Sequence, residues 1–234
     1  MPNGNRTEEH DRAIATLKQH VAAMTDLSVG MVADGTRALL NSDQALSQSV
    51  IDRDPLLDKF DLDIEAETIR LIATLQPEGA DLRTLGAVLK IANCIDRVGR
   101  LGYNLARNIS SAPGGSDRRP RELLAQMDER ARSMVRQATD SFVRNDAPLA
   151  KSVLVQDDEV DALNRQVQQT LIDLLRGGGA DTDRLAHELL AARHLERVAD
   201  NACKIAEKAV YAITGERRSE YFQSVVHPAG ANPP

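Results

Sequence analysis

Aromatic side chains are scarce in this sequence. Among 234 residues there are three Phe, three Tyr and no Trp, so Leu, Ile, Val and Ala must build the core. Such a core suits helix-on-helix packing better than a β-sandwich, whose strands favour aromatic and β-branched residues. The hydrophobic fraction of 42% is ordinary for a folded protein and argues against global disorder. We therefore predict an all-α fold.

Long apolar runs, excess positive charge and cysteine are also lacking. No run approaches the roughly 20 apolar residues of a membrane span, and the polar start does not resemble a signal peptide. A net charge of −6 argues against nucleic acid as a partner. The two cysteines, Cys94 and Cys203, are far apart and indicate reduced thiols. Together these absences predict a soluble, cytoplasmic protein without a membrane-inserted segment.

Glycine and proline divide the chain into helical segments. Helical periodicity covers residues 8–41, 44–75, 81–110, about 120–145, 148–176 and 183–213. Pro55 is expected to kink or break the second segment, and Ser42 to cap its start. The resulting organisation is a first three-helix bundle over 8–110, a linker over 111–118, a second three-helix bundle over 119–213 and a flexible tail over 214–234.

The third and sixth segments repeat one another at a constant offset of 100 positions. The identical pairs are Leu85 and Leu185, Leu89 and Leu189, Ala92 and Ala192, Arg97 and Arg197, Val98 and Val198, and Ala106 and Ala206. This register predicts two tandem three-helix bundles. We also expect a homodimer, because one bundle is not expected to cover all the apolar edges formed by Leu39, Leu40, Leu46, Phe142 and Leu149.

An acidic stripe follows the last segment outside its apolar seam. Glu196, Asp200 and Glu207 share one helix face, on which like charges repel. Asp157 and Asp161 on the preceding helix could complete an oxygen-rich shell for a hard cation. Two interpretations stay open: a metal site, with Cys203 as a less favoured ligand, or a solvated acidic face.

The signature segments resemble the PhoU family. The resemblance is carried by Ala192-Arg193-His194-Leu195-Glu196-Arg197-Val198-Ala199-Asp200-Asn201-Ala202, by Ile95-Asp96-Arg97-Val98-Gly99, and by Ala80-Asp81-Leu82-Arg83 after Gln76-Pro77. It runs from about residue 8 to 213, and Asp81, Arg83, Arg97 and Arg197 belong to these segments.

This resemblance implies a non-catalytic regulator that damps the phosphate-starvation response. The implied partners are the ATPase subunit of the phosphate transporter and a sensor histidine kinase, which would recruit the protein to the inner face of the membrane. The resemblance also implies a cytoplasmic, often dimeric protein, and iron, zinc, manganese or magnesium on the acidic motifs of some members.

The first half departs from the family pattern at one informative position. The family has an acidic residue four positions after Asp96, where this chain has Arg100, and Arg107 stands where the second half has Glu207. Asp96 and Arg100 are spaced for an i,i+4 ion pair. We therefore predict that the first metal site is lost and that any metal binding is confined to the second half.

An enzyme is the alternative. A helical bundle with inward carboxylates could be a di-metal oxidase or hydrolase, which in ferritin-like bundles uses Glu-x-x-His pairs. None of the five histidines has Glu three residues before it. The sequence therefore favours the regulator over a helical-bundle metalloenzyme.

Overall fold

The computed structural model describes residues 3–109, 118–178 and 181–216, with side chains from residue 8 onward, and all regular secondary structure in these residues is α-helical. The helices are α1 (Asn3–Asn41), α2 (Gln44–Ile51), α3 (Asp54–Leu75), α4 (Gly79–Arg107), α5 (Arg118–Arg144), α6 (Ala147–Gly177) and α7 (Thr182–Thr214). The predicted linker lies outside the described residues except Arg118, which begins α5. Most of the predicted tail also lies outside them.

The segment predicted as one helix over 44–75 is two helices. Asp52 and Arg53 separate α2 from α3, and Pro55 lies in the first turn of α3, where its missing N–H leaves no hydrogen bond unmade. The predicted cap at Ser42 is wrong, because Ser42 has a left-handed backbone with φ of 52°. Asp43 caps α2 instead, and its carboxylate accepts a hydrogen bond of 2.9 Å from the backbone N–H of residue 46.

The same turn recurs between α5 and α6. Asn145 has φ of 56°, and Asp146 accepts a hydrogen bond of 2.9 Å from the N–H of Leu149. Asn145 and Asp146 follow Ser42 and Asp43 by 103 positions. The two halves therefore share the geometry of their first turn, although the outer helix is broken in one half and continuous in the other.

Four helices form the centre of the molecule. α1 packs on α4 and α5 on α7 within each half, while α1–α5 and α4–α7 contacts join the halves. The outer helix α3 lies against α1 and α4, and α6 lies against α5 and α7. One continuous hydrophobic core runs through both halves, from Leu17 and Ile95 to Met127 and Leu195. The all-α fold of two tandem helical bundles is confirmed, with a core that both bundles share.

Polar contacts cross between α1 and α5 in matched pairs. The hydroxyls of Thr25 and Thr139 lie 3.1 Å apart, and the Thr36 hydroxyl donates to Asp128 at 3.0 Å. Thr25 corresponds to Asp128, and Thr36 to Thr139, at an offset of 103 positions. The two contacts are therefore related by the internal repeat: superposing one half on the other places each contact on its counterpart. Together they fix the register of α1 against α5.

Each of these helices also receives a cation from the other half at its C-terminal end. Lys18 donates through Nζ to the Phe142 carbonyl at 2.9 Å and to the Asn145 side chain at 2.7 Å. Arg121 donates to the Leu40 carbonyl. Cations at helix C-termini offset the unpaired carbonyls and the helix dipole. The halves therefore cap each other.

The prediction that Leu39, Leu40, Leu46, Phe142 and Leu149 form uncovered apolar edges is partly wrong. Phe142 is fully buried and Leu39 is 8% exposed, and both belong to the hydrophobic core that the two halves share. The large exposed aliphatic side chains lie elsewhere, mainly on α3, α6 and the start of α7: they include Leu56, Leu62, Ile69, Val155, Ile172, Leu175, Leu189 and Leu190. Among the described residues, no helix is long and apolar enough to cross a bilayer.

Candidate functional site

The acidic residues predicted on the last helix lie along the side of α7 that α6 packs against. Asp200 is exposed, whereas Glu196 and Glu207 are half-buried. α6 contributes Asp157 and Asp161, both half-buried, to the same surface. The carboxylates predicted to form the metal site therefore face one region of the surface.

Asp157 is at the centre of this region. Its carboxylate accepts a hydrogen bond from the Cys203 thiol and is repelled by the charges of Asp161 and Asp200. Burial first, and then these two carboxylates, raise the pKa of Asp157 above its ordinary value. Burial and then the nearby carboxylates raise the pKa of Cys203 to about 12. Cys203 is therefore a protonated hydrogen-bond donor at neutral pH.

The predicted metal ligands are brought together only in part. Across the described ranges, no three His, Cys, Asp or Glu side chains are placed so that they could hold one ion. Asp161 and Asp200 both act on the charge of Asp157, whereas Glu196 lines a groove beside Arg193. The side chains supply the oxygen donors that a hard cation prefers, but their present positions do not provide its coordination geometry.

In the first half, a guanidinium group occupies the corresponding region. Arg100 Nη1 donates to both carboxylate oxygens of Asp54 at 2.6 Å, and Nη2 donates to Asp58. Nε lies 3.5 Å from Asp96, so the predicted ion pair with Asp96 is present. Arg100 thus joins α4 to the first turns of α3 through two carboxylates that sequence reasoning missed.

The charges in this cluster act on one another. Burial alone would lower the pKa of Arg100, but the carboxylates of Asp96, Asp54 and Asp58 outweigh it and raise that pKa. The pKa of Asp96 is raised, by burial first, although Arg100 opposes the change. Burial and the neighbouring carboxylates also raise the pKa of Asp61, again against Arg100. Arg100 is thus the cation that offsets the repulsion among these carboxylates.

The two acidic regions occupy equivalent places in the two halves. Buried residues of α3 and α6 correspond at a constant offset of 96 positions, in the pairs Leu57 and Val153, Ile64 and Val160, and Leu71 and Val167. On this register Asp61 corresponds to Asp157. On the offset of 100 positions Arg100 corresponds to Asp200. An arginine and an aspartate therefore stand at matching points of otherwise similar surfaces.

The acidic partners of Arg100 on α3, which the sequence analysis missed, have a recognisable spacing in the sequence. Asp54, Asp58 and Asp61 step by four and three positions, so they share one face of α3. This acidic face of α3 could have been identified from the helical period alone. The i,i+4 spacing of Asp96 and Arg100 points only to a partner on the same helix and so leaves the partners on α3 unnoticed.

The remaining signature residues lie apart from the acidic regions. Asp81 is in the first turn of α4, where a carboxylate favours the helix dipole. The Arg83 guanidinium lies near the end of α7, since a Cβ atom added at Gly215 would be 3.7 Å from it. The buried Nε of Arg83 finds no hydrogen-bond partner among the described residues. Arg97 and Arg197 are exposed on α4 and α7. None of the four residues contributes a ligand to the predicted metal site.

A groove between α6 and α7 was not anticipated from the sequence. It has a volume of about 700 Å³, and its walls include Ile172, Leu175, Leu189 and Leu190, which are 42–49% exposed. Glu196 lines it as well. The signal was available, because leucines at 189 and 190 extend beyond the narrow buried stripe of α7.

Comparison with known proteins gives consistent results. The sequence model of the PhoU domain matches the chain over residues 21–109 and again over 124–209. A "phosphate-specific transport system accessory protein PhoU homolog" of Rhizobium meliloti is 32% identical over 216 residues, covering 92% of this chain and 91% of the relative. A homolog from Aquifex aeolicus with the same description is 33% identical over 199 residues, covering 85% and 90%.

The fold comparison agrees. The crystal structure of PhoU from Pseudomonas aeruginosa superposes with a TM-score of 0.81 at 28% identity, covering 88% of this chain and 99% of that one. The family comprises accessory and regulatory proteins and is not an enzyme family, so the metalloenzyme alternative is set aside. The two domain matches cover most of the chain, one in each half of the fold. The chain therefore belongs to the PhoU family.

Proposed function

We propose that this protein is a non-catalytic regulator of phosphate uptake and phosphate-starvation signalling that acts through protein–protein contacts in the cytoplasm. Relatives named as accessory proteins of a phosphate-specific transport system support this proposal. The partners we propose are the ATPase subunit of the phosphate transporter and a sensor histidine kinase. The regulator damps the starvation response when phosphate is plentiful.

The groove between α6 and α7 is the observation that carries the proposal. Ile172, Leu175, Leu189 and Leu190 expose between 42% and 49% of their surface around it. Contiguous exposed aliphatic side chains of this kind mark contact sites for other proteins. Polar side chains at one end provide the rim that such interfaces have. We place the transporter subunit in this groove.

Gene deletion and complementation test the proposal. Deletion is expected to switch on starvation-response transcription in phosphate-rich medium, and the wild-type gene is expected to restore repression. The double variant Leu175→Asp and Leu189→Asp should fail to restore it while keeping its helical circular dichroism. Val155→Asp is the matched control, because Val155 is 60% exposed on α6 and does not line the groove. Unchanged repression after deletion contradicts the function.

We also propose a cation site in the second half, for iron, zinc, manganese or magnesium. The repulsion that Asp161 and Asp200 exert on Asp157 supports it, because a cation would relieve this repulsion. Exposed Asp200 and half-buried Glu207 can then turn toward the ion.

Metal binding to the folded protein should raise its melting temperature by linkage. Asp200→Ala should abolish that rise, and Arg100→Asp should create a second site by elemental analysis. Survival of the stabilisation in Asp200→Ala contradicts the proposal.

Finally, we propose a homodimer. We propose that the second copy covers the face of α3 that carries Leu62 and Ile69, which are 64% and 53% exposed. Sedimentation across micromolar concentrations should give twice the mass of the chain. Ile69→Asp should shift the protein toward monomer, whereas a wild-type protein that stays monomeric throughout this range contradicts the assembly.

A further inference from the structure

The side of the molecule formed by α4 and α7 carries a concentration of positive charge. Arg97 on α4 and Arg193, Arg197 and Lys204 on α7 are exposed, and Lys208 on α7 is half-buried. Arg193 also lines the groove between α6 and α7, so it stands at the edge of this side. We call these five residues the basic face. It belongs to a chain whose net charge is −6, so the charge distribution is uneven.

Two half-buried side chains show that these cations lie close together. The charges of Lys204, Arg97 and Lys208 all act on the Cys94 thiol of α4, and the single carboxylate of Glu207 opposes them. The three cations around Cys94 therefore come from both helices. On α7, burial lowers the pKa of the His194 imidazole, and the nearby charges of Arg197 and Arg193 lower it further.

Cys94 and His194 occupy equivalent positions, 100 residues apart. Because α4 and α7 pack against each other across the two halves, the clusters around Cys94 and His194 form one surface that spans both halves.

These cations differ from most other arginines of the protein. Arg100, Arg132 and Arg136 each have a carboxylate within 4 Å. No such ion pair joins any residue of the basic face to a carboxylate within the described ranges. Asp200 and Glu207 border the basic face on α7, and the other acidic groups lie toward α3 and α6. The basic face thus keeps its charge available for an external anionic surface.

We propose that the basic face docks on the anionic headgroups of a lipid bilayer. Its cations are spread along two adjacent helices, and such an arrangement fits a broad anionic surface. A bilayer presents mobile headgroups that adjust to this spacing, whereas an acidic protein would need carboxylates at matching positions. Each Lys or Arg near an anionic bilayer contributes about a fivefold gain in binding. This inference stands on the charge distribution and does not rest on the proposed function.

Vesicle co-sedimentation with the full chain tests the docking. We expect binding to vesicles of equal parts phosphatidylglycerol and phosphatidylcholine in about 50 mM salt, and none to phosphatidylcholine alone. Binding should disappear near about 0.5 M salt, because the screening length falls to a few ångströms. The double variant Arg97→Gln and Lys204→Gln should bind about 25-fold more weakly, as two cations are removed.

The matched control removes the same charges from other faces. Lys59 on α3 and Arg165 on α6 are both exposed, so Lys59→Gln with Arg165→Gln should bind as well as the wild type. Equal loss in this control overturns the proposal, as does equal binding to neutral vesicles. Binding to poly-glutamate without binding to anionic vesicles also overturns it and assigns the face to an acidic protein. Starvation-response complementation by the Arg97 and Lys204 variant tests the proposed function separately.

Discussion

Position 100 determines the charge of one acidic region. Arg100 contacts Asp54, Asp58 and Asp96 and so supplies a positive charge from within the chain. A divalent ion about 4 Å from this guanidinium would be repelled by several kcal/mol per unit charge at an effective dielectric constant near 20. The equivalent Asp200 adds a negative charge to its region instead. One residue thus gives the two related surfaces different charges.

Replacement of Arg100 by glutamine should destabilise the protein. Three carboxylates would lose their shared partner, and we expect the free energy of unfolding at pH 7 to fall by about 1 kcal/mol, a modest loss because the group is partly exposed. Urea titration of the wild type and Arg100→Gln measures it. The difference should shrink as the pH falls and the carboxylates become protonated. Arg165→Gln, on an exposed residue, is the control, and a difference that is independent of pH contradicts the account.

A buried carboxylate on α5 predicts a second dependence on pH. Asp128 is 7% exposed, and burial raises its pKa above the ordinary value of 3.8 despite hydrogen bonds from Arg132 and Thr36. A raised pKa in the folded state stabilises the fold below the unfolded pKa, and this stabilisation is lost as the pH rises through the folded value. Between pH 4 and 7, wild-type stability should therefore fall relative to Asp128→Asn. Parallel urea-denaturation curves across this range contradict the prediction.

At the scale of elements, the crossing of α1 and α4 depends on glycine. A Cβ atom added at Gly102 would lie 2.6 Å from backbone atoms of Met31 and Val32, and one added at Gly35 would lie 2.4 Å from the Gly102 carbonyl oxygen. The two helices therefore touch backbone to backbone. The corresponding residues of the second half are Ala138 and Ala202. The crossing in the first half is the one that requires the absence of a side chain.

Two alanine substitutions on α4 should have opposite effects. Gly102→Ala forces the α1 backbone to move and should cost about 3 kcal/mol of unfolding free energy. Gly86→Ala meets nothing within 4 Å in the described structure and should gain about 0.5–1 kcal/mol from helix propensity. Urea denaturation of both variants measures the contrast. If Gly102→Ala is as stable as the wild type, the close approach is not needed.

The helices themselves were largely predictable, because a 3.6-residue period and Gly or Pro at the ends are local properties. The offset of 100 positions between α4 and α7 likewise predicted the two bundles. The cap at residue 42 was mispredicted because serine there adopts a left-handed conformation and passes the capping role to Asp43. The contacts of Arg100 with α3 were missed because they join residues 46 and 42 positions apart. The helical period places Asp54 and Asp58 on one face of α3, but only the packing of α3 on α4 brings that face to Arg100.

The whole molecule behaves as one packing unit. A single hydrophobic core includes residues of both halves, and Lys18 and Arg121 bind the helix ends of opposite halves. Separation of the bundles would expose core side chains and unpair these carbonyls. The free energy of each half is therefore tied to that of the other, and we expect unfolding to occur in one step.

One cysteine in each half provides a direct test. Cys94 lies in α4 and Cys203 in α7, and both are half-buried. In the single-cysteine variants Cys203→Ser and Cys94→Ser, labelling of the remaining thiol should begin at the same urea concentration. Circular dichroism of each variant corrects for any change in stability. Midpoints separated by more than about 0.5 M would show that one bundle opens before the other.

The covalent link between the halves has a consequence for how the surface can diversify. An assembly of two identical half-length polypeptides would carry the same side chain at both equivalent points, arginine twice or aspartate twice. A single polypeptide encodes each point separately, so Arg100 and Asp200 can coexist on one scaffold. Duplication followed by divergence thus lets the acidic region of the first half contain its own cation, Arg100, while the matching region of the second half keeps the carboxylate of Asp200. The hydrophobic core that both halves share does not have to change.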